Sequence, residues 1–300
     1  MRVVVVGGAG FIGSHTIDAL LQKKYEVICY DIQKPIQRHN NLKWYCYDVN
    51  SDTVEEAINE DDIILHLAAI SSFSLAEKNP AEAIRTNIAG VANILRTAIE
   101  KKARKFIYAS SGSVYPKDLE MPIKETDWIP GRDTMEVASI YELTKKTAET
   151  ICAYYKIDIP ITVLRYGHCY GPRETKGGIA AFIRRIMEGK SPIVFGGEQT
   201  NDFVYVGDIV QANLLAIEKE MEGIFNVGTG IETPIKKACK TVMEEMHYLG
   251  DIEYKPLRSV DWSRFVYDIR KIKKFGYEPE YSLEDGIRET VKWWRYNSPT

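Results

Sequence analysis

The sequence predicts a doubly wound parallel α/β sheet carrying a smaller C-terminal lobe. Three observations point that way. Short β-branched runs alternate with helical patterns through the first half of the 300 residues. A glycine-rich turn follows the first of these runs at once and opens the first helix. After Gly171 the alternation loosens, Pro and Gly become frequent, helices shorten, and aromatic residues fall at irregular positions. Strands alternating with helices make right-handed βαβ units, which cover a parallel sheet on both faces.

The elements follow in order. Residues 3–6 (Val-Val-Val-Val) read as a buried strand and residues 12–23 as a helix. Residues 26–30 and 63–67 are further strands, and 81–101 is one long helix. Residues 105–109 are a strand, 140–155 a helix and 161–166 a strand. Residues 1–170 therefore make the sheet domain. Residues 224–227 read as a strand returning to it, so about 204–229 rejoin that domain. The lobe is left with 171–203 and 230–300.

Composition narrows the function. Hydrophobic residues make up 45% and charged residues 27%, an ordinary globular balance. The net charge of -3 excludes a typical nucleic-acid binder, which is basic. No apolar run approaches the ~20 residues that a membrane helix needs. The N-terminal valines lead straight into glycines, unlike a signal peptide. Cys29, Cys46, Cys152, Cys169 and Cys239 are scattered with no CxxC. This fits a reduced, cytoplasmic setting and no metal site.

The turn is Gly7-Gly8-Ala9-Gly10-Phe11-Ile12-Gly13. In a strand–turn–helix context it is a Rossmann dinucleotide-binding fingerprint. Gly10 lets backbone approach a pyrophosphate, Gly13 lets helix and strand pack closely, and the helix N-terminus attracts the phosphate charge. Asp31 ends the second strand. A carboxylate there accepts from ribose hydroxyls and repels a 2′-phosphate, which favours NAD over NADP.

With these features the chain resembles the extended short-chain dehydrogenase/reductases, in their nucleotide-sugar epimerase/dehydratase branch, over nearly its whole length. Besides the glycines, the resemblance rests on Asp48-Val49, which in the family contacts the adenine, on His66-Leu67-Ala68-Ala69, and on Asn87 in Thr86-Asn87-Ile88-Ala89-Gly90. Ser110-Ser111-Gly112-Ser113-Val114-Tyr115 is similar to the stretch bearing the catalytic hydroxyl, which falls on Ser111. Tyr141 and Lys145 match the catalytic YxxxK. That spacing also occurs at Tyr30/Lys34 and Tyr267/Lys271. Only Tyr141/Lys145 lies on a strong helix after the serine-bearing strand, both side chains on one face. The other two pairs read as surface charge and aromatic packing.

The resemblance implies NAD contacts from Gly7, Gly10, Phe11, Ile12, Gly13, Asp31, Asp48, Val49, Leu67, Ala68, Ala69, Asn87, Tyr141, Lys145 and Tyr166. It implies catalysis by Ser111, Tyr141 and Lys145. Oxidising an alcohol needs a base, and a tyrosine of pKa ~10 becomes one when an ammonium favours its phenolate. Ser111 would hold the same substrate oxygen. The branch opens by oxidising C4 of the sugar. Its 4,6-dehydratases then use an Asp-Glu pair directly after the catalytic Thr. Here Gly112 and Ser113 stand there, which favours an epimerase acting on a UDP-hexose such as UDP-glucose or UDP-galactose. A dehydratase, reductase or decarboxylase of the branch, or a non-catalytic NAD sensor, remains as the alternative.

The resemblance also places Ser111, Ser113, His168, Asn201, Arg258 and Asp261 against the nucleotide-sugar, in the lobe and at its edge. Two of these depart from the family. His168 stands for an Asn in Arg165-Tyr166-Gly167-His168-Cys169-Tyr170-Gly171-Pro172-Arg173, and Asn201 for an Arg that binds the diphosphate. Arg258 suits phosphate because its planar fork can pair two oxygens. Residues 281–290 resemble the family's closing capped helix. A homodimer through helices around 90–100 and 140–155 is expected on the same ground.

Overall fold

Every valine of β1 (Arg2–Val6) is buried. Alternation sends Val3 and Val5 to one face of the sheet and Val4 and Val6 to the other. A strand buried on both faces belongs in the middle of a parallel sheet. The structure is a computed structural model and describes residues 1–133, 136–257 and 262–297. In chain order β1 is followed by α1 (Phe11–Gln22), β2 (Glu26–Tyr30), β3 (Leu42–Tyr45), α2 (Val54–Ala57), β4 (Ile63–His66), α3 (Phe73–Lys78) and α4 (Pro80–Ile84). A π-helical turn (Arg85–Ala89), α5 (Gly90–Glu100), β5 (Lys105–Ser111), α6 (Ile140–Tyr155), β6 (Ile161–Tyr166) and β7 (His168–Tyr170) come next. Then come α7 (Gly178–Met187), β8 (Ile193–Phe195), β9 (Thr200–Asn201), β10 (Phe203–Tyr205), α8 (Val206–Glu218) and β11 (Gly223–Val227). The chain closes with β12 (Thr233–Pro234), α9 (Ile235–Glu245), β13 (Glu253–Lys255), α10 (Arg270–Lys273) and α11 (Leu283–Asn297).

The main sheet runs β11-β6-β5-β4-β1-β2-β3 and is parallel throughout. Strand order reverses between β1 and β4, which opens a crevice at their carboxyl ends. On one face Ile17 and Leu20 of α1 and Ile209 and Ala212 of α8 pack on Val3, Val5 and Val27. On the other, Val91, Ile94 and Leu95 of α5 and Ala148 and Cys152 of α6 cover Val4, Val6 and Phe106. A third core joins Ile179 and Ile183 of α7, Val242 of α9, and Ile287 and Trp294 of α11.

Three details differ from the sequence reading. β3 was not expected, because a half-exposed edge strand reading Leu-Lys-Trp-Tyr shows no clean alternation. The expected single helix over 81–101 is three pieces, with the π turn between α4 and α5. The π turn carries Asn87, whose side chain accepts from Ile70 N at 2.8 Å and donates to Thr144 Oγ1 at 3.0 Å. A π turn adds one residue to the helical ladder, which helix periodicity does not reveal. The helices after Gly171 are also not short, α8 having 13 residues and α11 having 15. Their apolar faces cover the sheet and the third core.

Behind the carboxyl ends of β5 and β6 lies a fully buried ion pair. Arg165 Nη2 meets Glu149 Oε2 at 2.7 Å with neither side chain exposed. Arg165 also donates to the carbonyls of Glu125 and Trp128 at 3.2 and 3.1 Å, and Ser110 donates to Glu149. Removing one partner of such a pair strands the other charge. Arg165→Met is therefore expected to lower unfolding free energy by about 3–5 kcal/mol in chemical denaturation. The double variant Arg165→Met/Glu149→Leu should recover more than half of that loss. A single variant as stable as the parent would contradict the described burial.

Candidate functional site

The crevice at the switch point is lined first by the glycine turn. Gly7 has φ +80°, and a Cβ there would stand 2.5 Å from Ala68 N. A Cβ on Gly13 would stand 2.4 Å from Gly7 O. Leu67 N donates to Val6 O at 2.8 Å, which lays Leu67-Ala68-Ala69 beside the turn. α1 starts at Gly10 with no side-chain cap and no acidic residue in its first turn. Its amides and positive dipole end are thus available to an anion. Phe11 and Ile12 pack against the third core, which fixes how α1 enters. These are the features that a dinucleotide pyrophosphate requires, so the residues present fit NAD.

The loops after β2 and β3 carry Asp31 and Asp48. Asp31 accepts from Ala9 N at 2.9 Å and Gln33 N at 2.8 Å. Burial pushes its carboxyl above the usual range, against those two amides. Asp48 pairs with Arg85 through both oxygens, at 3.2 and 2.9 Å. Val49 is buried against Gly90. The Tyr166 hydroxyl is committed to the scaffold. It donates to Asn213 Oδ1 at 2.6 Å, and Asn213 donates to Thr16 Oγ1 at 3.0 Å, tying β6 to α8 and α1. Asn87 likewise spends its side chain on Ile70 and Thr144.

The residues expected to be catalytic meet where β5 ends and α6 begins. Ser139 caps α6, accepting from Glu142 N at 3.1 Å, and Glu77 accepts from Ile140 N at 2.7 Å. This places Tyr141 in the first turn and Lys145 one turn on. Burial pushes the Tyr141 phenol up to about 12, while a hydrogen bond with Ser111 pulls it down. Lys145 Nζ donates to Ala109 O at 2.7 Å and lies 5.9 Å from the Tyr141 ring centroid. Burial draws its ammonium down to about 8. His66, fully buried below, is held down to about 3 by burial and by the charge of Lys145. Ser111, Tyr141 and Lys145 are thus brought together. Of the other two YxxxK pairs, Tyr267 is buried beside Tyr115, and Lys271 donates to Ile224 O at 2.5 Å rather than facing solvent freely. Lys34 lies over the Trp44 ring.

A cleft beside Tyr141 is lined by Phe73, Ser113, Tyr115, Ser139, Glu142 and Trp262. Ser113 N donates to Ser111 Oγ at 3.2 Å, which puts Ser113 at the cleft wall. A Cβ on Gly112 would stand 2.4 Å from the Phe265 ring and 2.7 Å from the Tyr267 hydroxyl, so a side chain at position 112 would require those rings to shift. His168 lies edge-on to Phe203, ring centroids 5.0 Å apart, near the start of α7. Asn201 is half-buried in β9, paired with Thr233 of β12. Arg258 and Asp261 lie outside the described residues.

Three residues escaped the sequence reading. The Phe73 ring sits edge-on to Tyr141, centroids 5.0 Å apart. Arg85 reaches Asp48 across 37 positions. Glu174 is buried before α7, where burial pushes its carboxyl up to about 8 against the Gly177 amide. Local patterns carry no signal for such long-range meetings.

Residues 3–228 match the NAD-dependent epimerase/dehydratase family. A UDP-glucose 4-epimerase from Thermotoga maritima, solved with UDP-glucose, superposes with TM-score 0.90 and 34% identity over 99% of each chain. The UDP-glucose 4-epimerase of Thermus thermophilus, solved with NAD, gives TM-score 0.88 and 30% identity over 99% of this chain and 100% of that one. A UDP-N-acetyl-α-D-glucosaminuronate decarboxylase of Bacillus cytotoxicus is 31% identical over 98% of each chain.

The turn predicts two distinct glycine phenotypes. Gly7→Ala meets backbone at a positive φ and should lose both stability and cofactor binding. Gly10→Ala meets only Gly7 O at 3.3 Å in the free chain. It should melt within a few degrees of the parent yet bind NAD at least about tenfold more weakly by calorimetry. Parent-like NAD affinity in Gly10→Ala would remove the turn from the pyrophosphate site.

Proposed function

The chain belongs to the NAD-dependent epimerase/dehydratase family, and on that premise we propose that it inverts C4 of a UDP-hexose such as UDP-glucose or UDP-galactose, through a transient 4-keto sugar. The observation that carries this is the convergence of Ser111, Tyr141 and Lys145 beside the cleft that Ser113 lines. NAD, when bound, supplies the hydride acceptor and donor. Tyr141 takes the proton of the C4 hydroxyl and returns it. Ser111 donates to the same oxygen and stabilises the charge that gathers there. Lys145 supplies the cation that favours the phenolate. A dehydratase needs an acid and a base beyond these, and neither Gly112 nor the hydroxyl-bearing Ser113 supplies that pair.

The glycine turn and the loops bearing Asp31, Asp48-Val49 and Leu67-Ala68-Ala69 hold the dinucleotide. The diphosphate lies toward His168 and Asn201. Residues 1–170 with 204–229 carry NAD, and 171–203 with 230–300 form the nucleotide-sugar lobe. The protein works as a cytoplasmic homodimer through α5 and α6. Free thiols at all five cysteines support the reduced setting. Exposed Tyr154 and Ile157 at the end of α6 support an interface there. Light scattering should give twice the 34.2 kDa chain mass. No helix among the described residues is long and apolar enough to cross a membrane.

The decisive assay is proton NMR of UDP-galactose and UDP-glucose incubated with protein and NAD. Interconversion without net NADH is expected, and Tyr141→Phe should slow it by at least about 100-fold. Carbon dioxide released from a UDP-hexuronic acid, with no epimer formed, would replace the epimerase by a decarboxylase. Unchanged turnover in Tyr141→Phe would overturn the site.

The protonation pattern gives a pH prediction. Activity needs the phenolate, so it rises with pH on the acid side. Removing the cation in Lys145→Met disfavours the phenolate, raises its pKa, and should move that rise to higher pH. A profile that stays in place would remove Lys145 from this role.

A further inference from the structure

The loop after β3 is tied to the neighbouring strand and helix at four points. Tyr30 donates through its hydroxyl to Asp48 O at 3.0 Å. Asn93 of α5 donates to Val49 O at 2.9 Å and Ser51 O at 3.2 Å. A Cβ on Gly90 would stand 2.3 Å from Val49 Cγ2, so glycine lets α5 sit this close. The fourth tie is Arg85, on the π turn, whose Nη1 and Nη2 donate to Asp48 Oδ1 and Oδ2 at 3.2 and 2.9 Å. Glu82 holds Arg85 from behind, accepting from Nε at 3.0 Å and Nη2 at 2.8 Å.

The two Asp48 oxygens are not equivalent. Oδ1 accepts from Arg85 and also from Asn50 N and Nδ2, at 2.8 and 2.9 Å. Among the described residues Oδ2 accepts from Arg85 alone, which leaves it a lone pair. An isolated exposed ion pair does little. A guanidinium edge set against both oxygens does more, because it fixes the plane of the carboxylate as well as its charge.

We propose that Arg85 is a positioning residue that orients Asp48 Oδ2 to accept from the exocyclic amino group of the cofactor's adenine, and so sets the base selectivity of dinucleotide binding. This rests on the reading that Asp48 faces the adenine. An amino group donates, and an ionised carboxylate can only accept. Burial works to raise the Asp48 carboxyl, but the bonds from Arg85 and Asn50 outweigh it and hold it below the usual range. Hypoxanthine carries a carbonyl oxygen where adenine carries the amine. It would turn one lone pair toward another, and a site built to receive a donor rejects such an analogue.

The test is calorimetric binding of NAD and of nicotinamide hypoxanthine dinucleotide to the purified protein. The parent should prefer NAD by about 10–100-fold. Arg85→Ala should bring that preference to within about threefold at an unchanged melting temperature. Arg85→Lys, which keeps the charge without the fork, should restore only part of it. Asp48→Ala should abolish the preference. Loss in Asp48→Ala with a parent-like ratio in Arg85→Ala would overturn the role of Arg85. A parent without preference, or a ratio unchanged by Asp48→Ala, would overturn the placement of Asp48 itself.

Discussion

Glu149 holds β5, β6 and α6 in register. It lies four residues past Lys145 and so shares its face of α6. It receives Ser110 from β5 and Arg165 from β6. Ser110 immediately precedes Ser111, and Lys145 itself donates to Ala109 O. β5, β6 and α6 are thus pinned by one carboxylate and one ammonium. A buried charge pair is costly to desolvate, and its geometry must be close to ideal to persist. That demand makes the placement of Ser111 against Tyr141 specific, because a slip of α6 along the sheet would break the pair.

The same burial shapes the protonation of the site. Removing water disfavours every charged form. The Tyr141 phenol goes up to about 12, the Lys145 ammonium down to about 8, and the His66 imidazole down to about 3. The three shifts share one first cause, a crevice floor closed by Phe106, Tyr108 and the helices above it. Such a floor strengthens each polar contact a ligand brings. On the lobe side Glu174 obeys the same rule, rising to about 8 under α7.

The π turn connects the two ends of the crevice. Asn87 turns inward to Ile70 and Thr144, which fixes the loop after β4 against α6. Arg85, two residues earlier, turns to Asp48. The turn therefore steadies α6 and the loop after β3 at once. An uninterrupted α-helix would have rotated one of these side chains out of place.

Much of this was legible in local chemistry. The valines of β1, the glycine turn, Asp31 at the end of β2 and the helical spacing of Tyr141 and Lys145 each carry their own physical requirement. Together they specify a parallel sheet, a crevice fitted to a dinucleotide and a Tyr–Lys pair on one helix face. What local pattern cannot carry is any meeting between distant side chains. The Arg85–Asp48 fork, the Phe73 ring against Tyr141 and the buried Glu149–Arg165 pair join residues from separate segments of the chain. So does the commitment of Tyr166 to Asn213. The amino-acid sequence by itself determined the elements and the chemistry available at their ends, because periodicity, turn geometry and charge act over a few residues. Only the tertiary structure decided which groups are buried, which are already spoken for, and how far each is driven from its ordinary pKa, because those depend on what packs across from them.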